Sequence, residues 1–256
     1  MSVIHIDDYK QCNSINEISD NAKSIISFVK LPCLVYEEGY DYDTLMKEFK
    51  DMTKAGLSEG YTPLIVLADE YFYFDSEENY SPQETLNSDL SNGKKLLNER
   101  FKYNLRYVQT DVDEYIESIS GEYDDDCEKM DCPFSFFNFE TKSCYETIVF
   151  KIPTTNPWEL PAYIPFGGWN ECPDAKEMTS ICKYWYDQYG AVPIAVTHDI
   201  LEMEVPKPVS SEISIEVAKE HYAFCPDRLD QCTQSFTLSE IAKSLEGSTV
   251  WYFWWD

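Results

Sequence analysis

The segment VPIAVTHDILEMEV, residues 192–205, decides how the C-terminal part of the chain folds. Two apolar runs, VPIAVT and ILEMEV, are separated in it only by His198 and Asp199. Short apolar runs rich in β-branched residues predict strands, and so short a separation predicts a tight hairpin or a bend. We therefore expect two consecutive strands with the polar pair between them.

The segments on either side of these strands have helical periodicity. DAKEMTSICKYWYDQYG (174–190) places its apolar residues on one face and stops at Gly190, a residue suited to close a helix. SSEISIEVAKEHYAFC (210–225) has the same period and must end before Pro226. TLSEIAKSLEG (237–247) begins with a capping box of Thr237 and Glu240. The C-terminal part is thus predicted to follow the order α-β-β-α-α-β.

The last predicted strand lies in TVWYFWWD (249–256). Alternation along a strand puts Trp251, Phe253 and Trp255 on one face and leaves apolar residues on the other face as well. A strand that is apolar on both faces is typical of a central position, so we expect it in the core. Asp256 would then lie at the strand end, where α/β proteins often place their sites.

The N-terminal half alternates helices and strands. SINEISDNAKSIISFV (14–29) predicts an amphipathic helix capped by Ser14, and the runs at 31–36 and 62–68 predict buried strands. A helix ending near Gly56 lies between them, and a third helical segment begins at Pro82. We expect an α/β or α+β protein with an N-terminal α/β unit (1–110), an acidic then Pro-rich insertion or linker (111–160) and a C-terminal domain (161–256).

Acidic residues dominate the charge of the chain. The formal net charge is −27, and residues 111–131 hold ten carboxylates and one lysine, which predicts an exposed linker or insertion. Such a charge disfavours binding to nucleic acid and to anionic membranes, and it accelerates encounter with basic partners. The alternative interpretation is that the acidity serves solubility alone.

Neither export nor a cofactor is indicated by the sequence. The first residues show no basic segment followed by an apolar stretch, and no apolar run is long enough for a membrane helix, so we expect a soluble cytoplasmic protein. The nine cysteines are odd in number and form no CxxC pair. They are expected to be reduced, and no structural metal is predicted.

Several motifs together resemble one known family. PFGGWNECP, WYDQYGAVPIAVTHDILEMEVPKP, AKEHYAFCPDRLDQ, TLSEIAKSL and WYFWWD occur in this order over roughly residues 161–256. This part is similar to the bacterial family called domain of unknown function 4253, and the half before it is only loosely similar to what precedes that domain. The resemblance implies a fold and a set of residues to inspect, but no reaction.

The main catalytic candidates lie in EHYAFCPDRLDQ (220–231). His221 and Cys225 are four residues apart on a predicted helix, so their side chains share a face, and Asp227 follows closely. A thiol activated by an imidazole that a carboxylate orients would form a nucleophilic site. The alternative, which we favour, is that both residues belong to the apolar face of the helix. His198 could join either a catalytic or a metal-binding arrangement from the hairpin.

Other candidates come from the hairpin and from PFGGWN (165–170). Glu202 and Glu204 point the same way on a strand, and we favour a solvent-facing position for them over paired acid–base chemistry. The glycine pair could let the backbone approach a ligand, but a turn that packs Trp169 on the core is the favoured interpretation. The candidate binding residues are Trp169, Asn170, Asp199, Glu202, Asp230 and Asp256.

Two classes of function remain open from the sequence. The first, which we favour, is a non-catalytic intracellular binding protein for a basic protein partner, of the immunity or antitoxin kind. The second is a hydrolase-like enzyme that uses Cys225, His221 and Asp227, with His198 as a further participant. A cleft that brings the thiol and the imidazole together would distinguish the second from the first.

Overall fold

The computed structural model describes residues 2–72, 80–108, 111–123 and 127–256, and these contain nine strands and ten α-helices. The strands are β1 (Val3–Ile6), β2 (Cys33–Tyr36), β3 (Thr62–Leu67), β4 (Phe137–Asn138), β5 (Ser143–Cys144), β6 (Thr147–Ile152), β7 (Val192–Val196), β8 (Ile200–Glu204) and β9 (Val250–Trp254). The helices are α1 (Asp20–Val29), α2 (Tyr42–Glu59), α3 (Pro82–Leu86), α4 (Gly93–Asn104), α5 (Val112–Ser120), α6 (Leu160–Tyr163), α7 (Ala175–Tyr189), α8 (Ser214–Phe224), α9 (Asp227–Asp230) and α10 (Leu238–Leu245). None of the described helices is long and apolar enough to cross a membrane.

A seven-stranded mixed sheet in the order β1-β2-β6-β3-β7-β8-β9 forms the centre of the fold, as expected for an α/β protein. Among the described strands, only β3 and β7 pair in parallel, and the other neighbours are antiparallel. Consequently β2, β3, β7 and β9 run in one direction, and their carboxyl ends meet at one edge of the sheet. We call this the carboxyl edge.

Helices and a small hairpin cover the two faces of the sheet. The larger core cluster joins one sheet face to α1, α7, α8 and α10, and Trp185 and Phe224 are among its fully buried members. On the opposite face, Leu45 and Phe49 of α2 pack with Phe136, which lies beside the β4-β5 hairpin. The carboxyl edge therefore lies between two packed layers.

The first helix begins later than its periodicity predicts. Residues 9–14 form a 3₁₀ helix, and the Ser19 hydroxyl, instead of that of Ser14, caps α1 by accepting a hydrogen bond from the Ala22 N–H at 3.1 Å. The apolar residues Ile15 and Ile18 pack on the core from the connection between the two helices. Apolar spacing alone did not distinguish a capped helix from an irregular segment that packs on the same layer.

The terminal aromatic strand is buried, but its predicted central position is wrong. β9 pairs only with β8 and forms one edge of the sheet. Trp251 and Phe253 are completely buried against α7 and α8, and Tyr252 on the other face stacks on Phe134 with ring centroids 5.2 Å apart. The Met130 carbonyl accepts hydrogen bonds from the N–H groups of Thr249 and Val250, which protects the start of this edge strand.

The predicted insertion contributes to the sheet. β6, at residues 147–152, lies between β2 and β3, so the three parts expected from the sequence share one sheet and do not have separate ones. Within the acidic segment, α5 packs against α10, where the Ser239 hydroxyl donates to the Gly121 carbonyl at 2.8 Å. Residues 124–126 of that segment lie outside the described residues. The acidic composition therefore marks an exposed face of an ordered helix as well as a connection.

Candidate functional site

Asp69 and His198 meet at the carboxyl edge of the sheet. Asp69 follows β3 and His198 follows β7, and these are the two strands that pair in parallel. The Nδ1 atom of His198 lies in hydrogen-bond contact with Asp69 Oδ2, while Asp69 Oδ1 accepts the Tyr71 N–H at 2.7 Å. Both oxygens of this carboxylate thus have partners, and the imidazole is held in one orientation.

Asp199 continues the same edge towards β9. Its Oδ1 accepts the Thr197 hydroxyl at 2.8 Å, and its Oδ2 accepts the indole N–H of Trp254 at 2.7 Å. Its backbone carbonyl also accepts the Trp255 N–H at 3.0 Å. The predicted turn between β7 and β8 is confirmed, and the Asp199 side chain ties this turn to the terminal strand.

The segment that contains PFGGWN lies along this edge as well. The Asn170 amide donates to the backbone oxygen of Asp256 at 2.6 Å, and the Asp256 N–H contacts Asp227 Oδ2 at 3.2 Å. Gly167 has a φ of +92°, and a Cβ there would clash with the Pro173 carbonyl. The first glycine therefore permits a tight turn within the chain itself.

A pocket of about 320 Å³ lies in front of His198. We call it the aromatic pocket; it is lined by Tyr71, Phe72, Pro165, Phe166, Gly167, Trp169 and His198. The Tyr71 ring lies 5.3 Å from the imidazole between centroids. Phe72 and Phe166 are buried, whereas Trp169 is half-buried and packs on the core, as its motif predicted. The pocket thus combines fixed aromatic walls with one orientated imidazole.

Carboxylates lie beside the aromatic pocket, at the His198 side. Its lining, within the described part of the chain, includes no lysine or arginine, and Asp69 and Asp199 lie directly behind His198. Glu70 and Asp256 are exposed on the same edge. An aromatic surface beside carboxylates attracts cations, because ring faces and carboxylates both present negative potential. In the described ranges, no group of three or more His, Cys, Asp or Glu side chains is arranged to hold a metal ion.

The predicted Cys225–His221–Asp227 site does not assemble. The Cys225 thiol is buried and donates to the Trp254 carbonyl at 3.0 Å, and burial raises its pKa. The His221 ring lies 4.7 Å from both Trp251 and Phe253 between centroids, and neither ring nitrogen has a partner among the described residues. Asp227 bonds instead to Gln231 and to the backbone N–H of Asp256. The described contacts therefore do not join these three side chains, and Cys225 and His221 are both buried in the core.

His221 is kept neutral by its surroundings. Burial, with a smaller contribution from the positive charge of Arg228, lowers its pKa well below the usual value. A thiol with a raised pKa and an imidazole with a lowered pKa both favour their uncharged forms, which is the opposite of an activated pair. Both side chains lie uncharged where α8 packs on the sheet.

Two predicted binding residues lie away from the carboxyl edge or are covered. Glu202 is completely buried, where the expectation was a solvent-facing position, because the segment before β4 packs over it. Its carboxylate accepts hydrogen bonds from the Phe134 N–H at 2.8 Å and the Ser135 hydroxyl at 2.6 Å, and burial raises its pKa. Asp230 is exposed at the end of α9 and does not line the aromatic pocket.

The sequence predicted most, but not all, of the polar and aromatic residues that lie at the carboxyl edge. His198, Asp199, Trp169, Asn170 and Asp256 converge there, as the contacts above show. Asp69 and Tyr71 were not predicted, although DEYF follows directly after a buried strand. A carboxylate at the carboxyl end of a strand can be recognised in a sequence, but it indicates a site here only when that strand is known to pair in parallel with β7.

Comparison with known proteins identifies one family that part of the chain resembles. A family model described as domain of unknown function (DUF4253) matches residues 148–256. Searches of curated proteins and of solved structures found no match. The matched range contributes β7, β8, β9 and nearly all of β6, whereas β3 lies between β6 and β7 and comes from outside it. The resemblance seen in the sequence is confirmed over residues 148–256, which match the model of the family described as domain of unknown function (DUF4253).

Proposed function

We propose that this protein is a non-catalytic acidic binding protein whose aromatic pocket receives a positively charged side chain of a basic protein partner. The observation that carries the proposal is the composition of the pocket, which joins four aromatic side chains to an imidazole held by a carboxylate. A soluble role of the immunity or antitoxin kind fits a chain of net charge −27, because such a protein acts by covering a basic surface.

The volume and chemistry of the pocket suit a lysine or arginine side chain. Its volume of about 320 Å³ is close to the lower limit of ordinary ligand sites, so it suits one side chain better than a large cofactor. A cation over the face of Trp169 or Tyr71 would gain about 0.5–2 kcal/mol from the ring, the larger value applying when water is excluded. Asp69 and the exposed carboxylates of the edge add long-range attraction.

Calorimetric titration with small cations tests the proposal. The probes are Nα-acetyl-arginine amide and Nα-acetyl-lysine amide, with Nα-acetyl-glutamine amide as the uncharged control. We expect the cationic probes to bind and Trp169→Ala to weaken binding by about 5- to 30-fold, which corresponds to about 1–2 kcal/mol. Trp158→Ala is the matched control, since Trp158 is also half-buried but lies outside the pocket lining.

Two results would overturn the proposal. One is equal binding of the glutamine and arginine probes, because the pocket would then not discriminate charge. The other is equal loss of affinity in Trp169→Ala and Trp158→Ala, because the cation would then not lie in the aromatic pocket. Binding that weakens as salt increases is the accompanying expectation for an exposed, charge-dependent site.

The contact between His198 and Asp69 favours a second candidate function, general acid–base catalysis in a hydrolase-like reaction. A carboxylate that orients an imidazole also stabilises its protonated form during proton transfer. This alternative predicts that the protein hydrolyses at least one member of a panel of nitrophenyl esters and that His198→Gln removes this activity while arginine-probe binding remains. If the wild-type protein binds the arginine probe but hydrolyses no member of the panel, this alternative is refuted and the binding proposal stands.

A further inference from the structure

The lining of the aromatic pocket offers many rings and few side-chain hydrogen-bond acceptors. Apart from its four aromatic side chains, it consists of Pro165, Gly167 and His198. Among the residues that the structure describes, no carboxylate, amide or aliphatic hydroxyl side chain lines it. Such a lining discriminates between cations by the number of N–H donors that they carry, because each donor that leaves water needs a new acceptor.

Most of these rings are held in place by the rest of the fold. Phe72 and Phe166 are 9% and 4% exposed, and Phe166 packs edge-on against the buried Trp255 with ring centroids 5.6 Å apart. Trp169 packs on the larger core cluster. Tyr71, at 57% exposure, is the wall in contact with solvent. A ligand therefore meets a largely preformed aromatic surface and does not have to order it, which favours binding.

The carboxylates beside the pocket attract a cation through space and not by direct hydrogen bonds. Neither Asp69 nor Asp199 lines the pocket, and each of their four carboxylate oxygens already has a partner in the fold. His198 supplies at most one ring acceptor, Nε2, because its Nδ1 is directed to Asp69. The pocket thus lies next to negative charge while its walls can satisfy few N–H donors.

Methylation adapts a lysine side chain to these walls. A free lysine ammonium carries three N–H donors, and burying them beside rings sacrifices hydrogen bonds to water. Methylation keeps the positive charge and replaces donors by methyl groups, which pack on aromatic rings. We infer that the side chain received by the aromatic pocket is a methylated lysine of the partner, held against Trp169 and Tyr71 and attracted by Asp69 and Asp199. This inference rests on the proposed function and specifies the partner's side chain.

Calorimetric titration with a matched series of probes tests the inference. The probes are Nα-acetyl-lysine amide, its Nε-trimethyl derivative, and an uncharged carbon analogue in which a tert-butyl group replaces the trimethylammonium group. We expect the trimethyl probe to bind about 5- to 30-fold more tightly than the lysine probe, and at least about fivefold more tightly than the carbon analogue. Choline, a free quaternary ammonium ion, should bind more weakly than the trimethyl probe because it lacks the four-carbon stem.

Two tryptophan variants locate the preference. Trp169→Ala should bring the ratio of trimethyl to lysine affinity close to one, whereas Trp158→Ala, outside the pocket lining, should preserve it. A preserved ratio in Trp169→Ala would overturn the inference. So would a carbon analogue or choline that binds as tightly as the trimethyl probe.

The series also separates this inference from the proposed function. Lysine and trimethyl probes that bind equally well would overturn the preference for methylation and leave the proposed function standing. Absence of binding by every cationic probe, the arginine probe included, would overturn both.

Discussion

Replacement of His221 by leucine separates a structural imidazole from a functional one. The ring is 0% exposed and both of its nitrogens lack partners in the described residues. Leucine has a similar volume and no polar atoms, so His221→Leu removes the cost of two unpaired polar atoms. The lost ring contacts, edge-on with Trp251 and tilted with Phe253, oppose this gain by about 0.5–1.5 kcal/mol. Near neutral pH we therefore expect His221→Leu to be as stable as the wild type or more stable.

The pH dependence of the unfolding free energy gives a quantitative test of the same assignment. The pKa of His221 lies well below 6.5 in the folded state, so below that pH only the unfolded chain binds the extra proton. This histidine therefore contributes stability above its unfolded pKa, and the contribution is lost as the pH falls towards the folded pKa. From about pH 7.5 to about pH 5.5 the wild type should lose about 1.4 kcal/mol of unfolding free energy relative to His221→Leu.

Urea unfolding of both proteins at the two pH values, followed by circular dichroism, measures this difference. Other titrating groups are common to both proteins and cancel in the comparison. An equal stability difference at both pH values would show that His221 protonates freely when folded. A loss above about 2 kcal/mol in His221→Leu near neutral pH would show that the ring nitrogens do have partners. Either result refutes the assignment of His221 to the core.

Three further predictions concern the sheet and its buried polar groups. The fragment 148–256 should remain unfolded alone, because β3, whose Leu64, Ile65 and Val66 are at most 1% exposed, separates β6 from β7; a cooperative unfolding transition of the fragment would contradict this. Glu202→Gln should lower the unfolding free energy measured in urea by about 1–3 kcal/mol, since an amide nitrogen cannot accept the bonds from residues 134 and 135. The exposed Glu204→Gln should change the unfolding free energy by less than about 0.5 kcal/mol. Equal effects of the two variants would refute the stabilising role of the buried Glu202 carboxylate. In the native protein, iodoacetamide should modify the exposed Cys132 and spare the buried Cys225, as read by mass spectrometry; the reverse order would reopen the nucleophile hypothesis.

Local signals predicted the elements whose ends are determined by neighbouring residues. The turn between β7 and β8 follows from two apolar runs separated by His198 and Asp199. The start of α10 follows from its capping residue Thr237, whose hydroxyl accepts the Glu240 N–H at 3.3 Å. Gly190 ends α7 in the left-handed conformation, as expected for a C-terminal glycine. In each case the determining interaction spans only a few residues.

Long-range pairing explains what the sequence could not predict. β9 is apolar on both faces because α8 covers one and Phe134 covers the other, and composition does not distinguish this from a central position. Glu202 is buried by a segment 68 positions away in the sequence. The contact between His198 and Asp69 spans 129 positions and depends on the parallel pairing of β3 with β7. The residues of the site were visible individually, but their convergence was determined by strand order.

The most direct test of the proposed function is the location of a bound cation. A crystal structure of the protein with Nα-acetyl-arginine amide should show the guanidinium in the aromatic pocket, against the face of Trp169 or Tyr71 and on the side where Asp69 holds His198. The account predicts this position at the carboxyl edge of the sheet. A guanidinium bound elsewhere on the acidic surface, with the pocket empty at saturating probe, would contradict it.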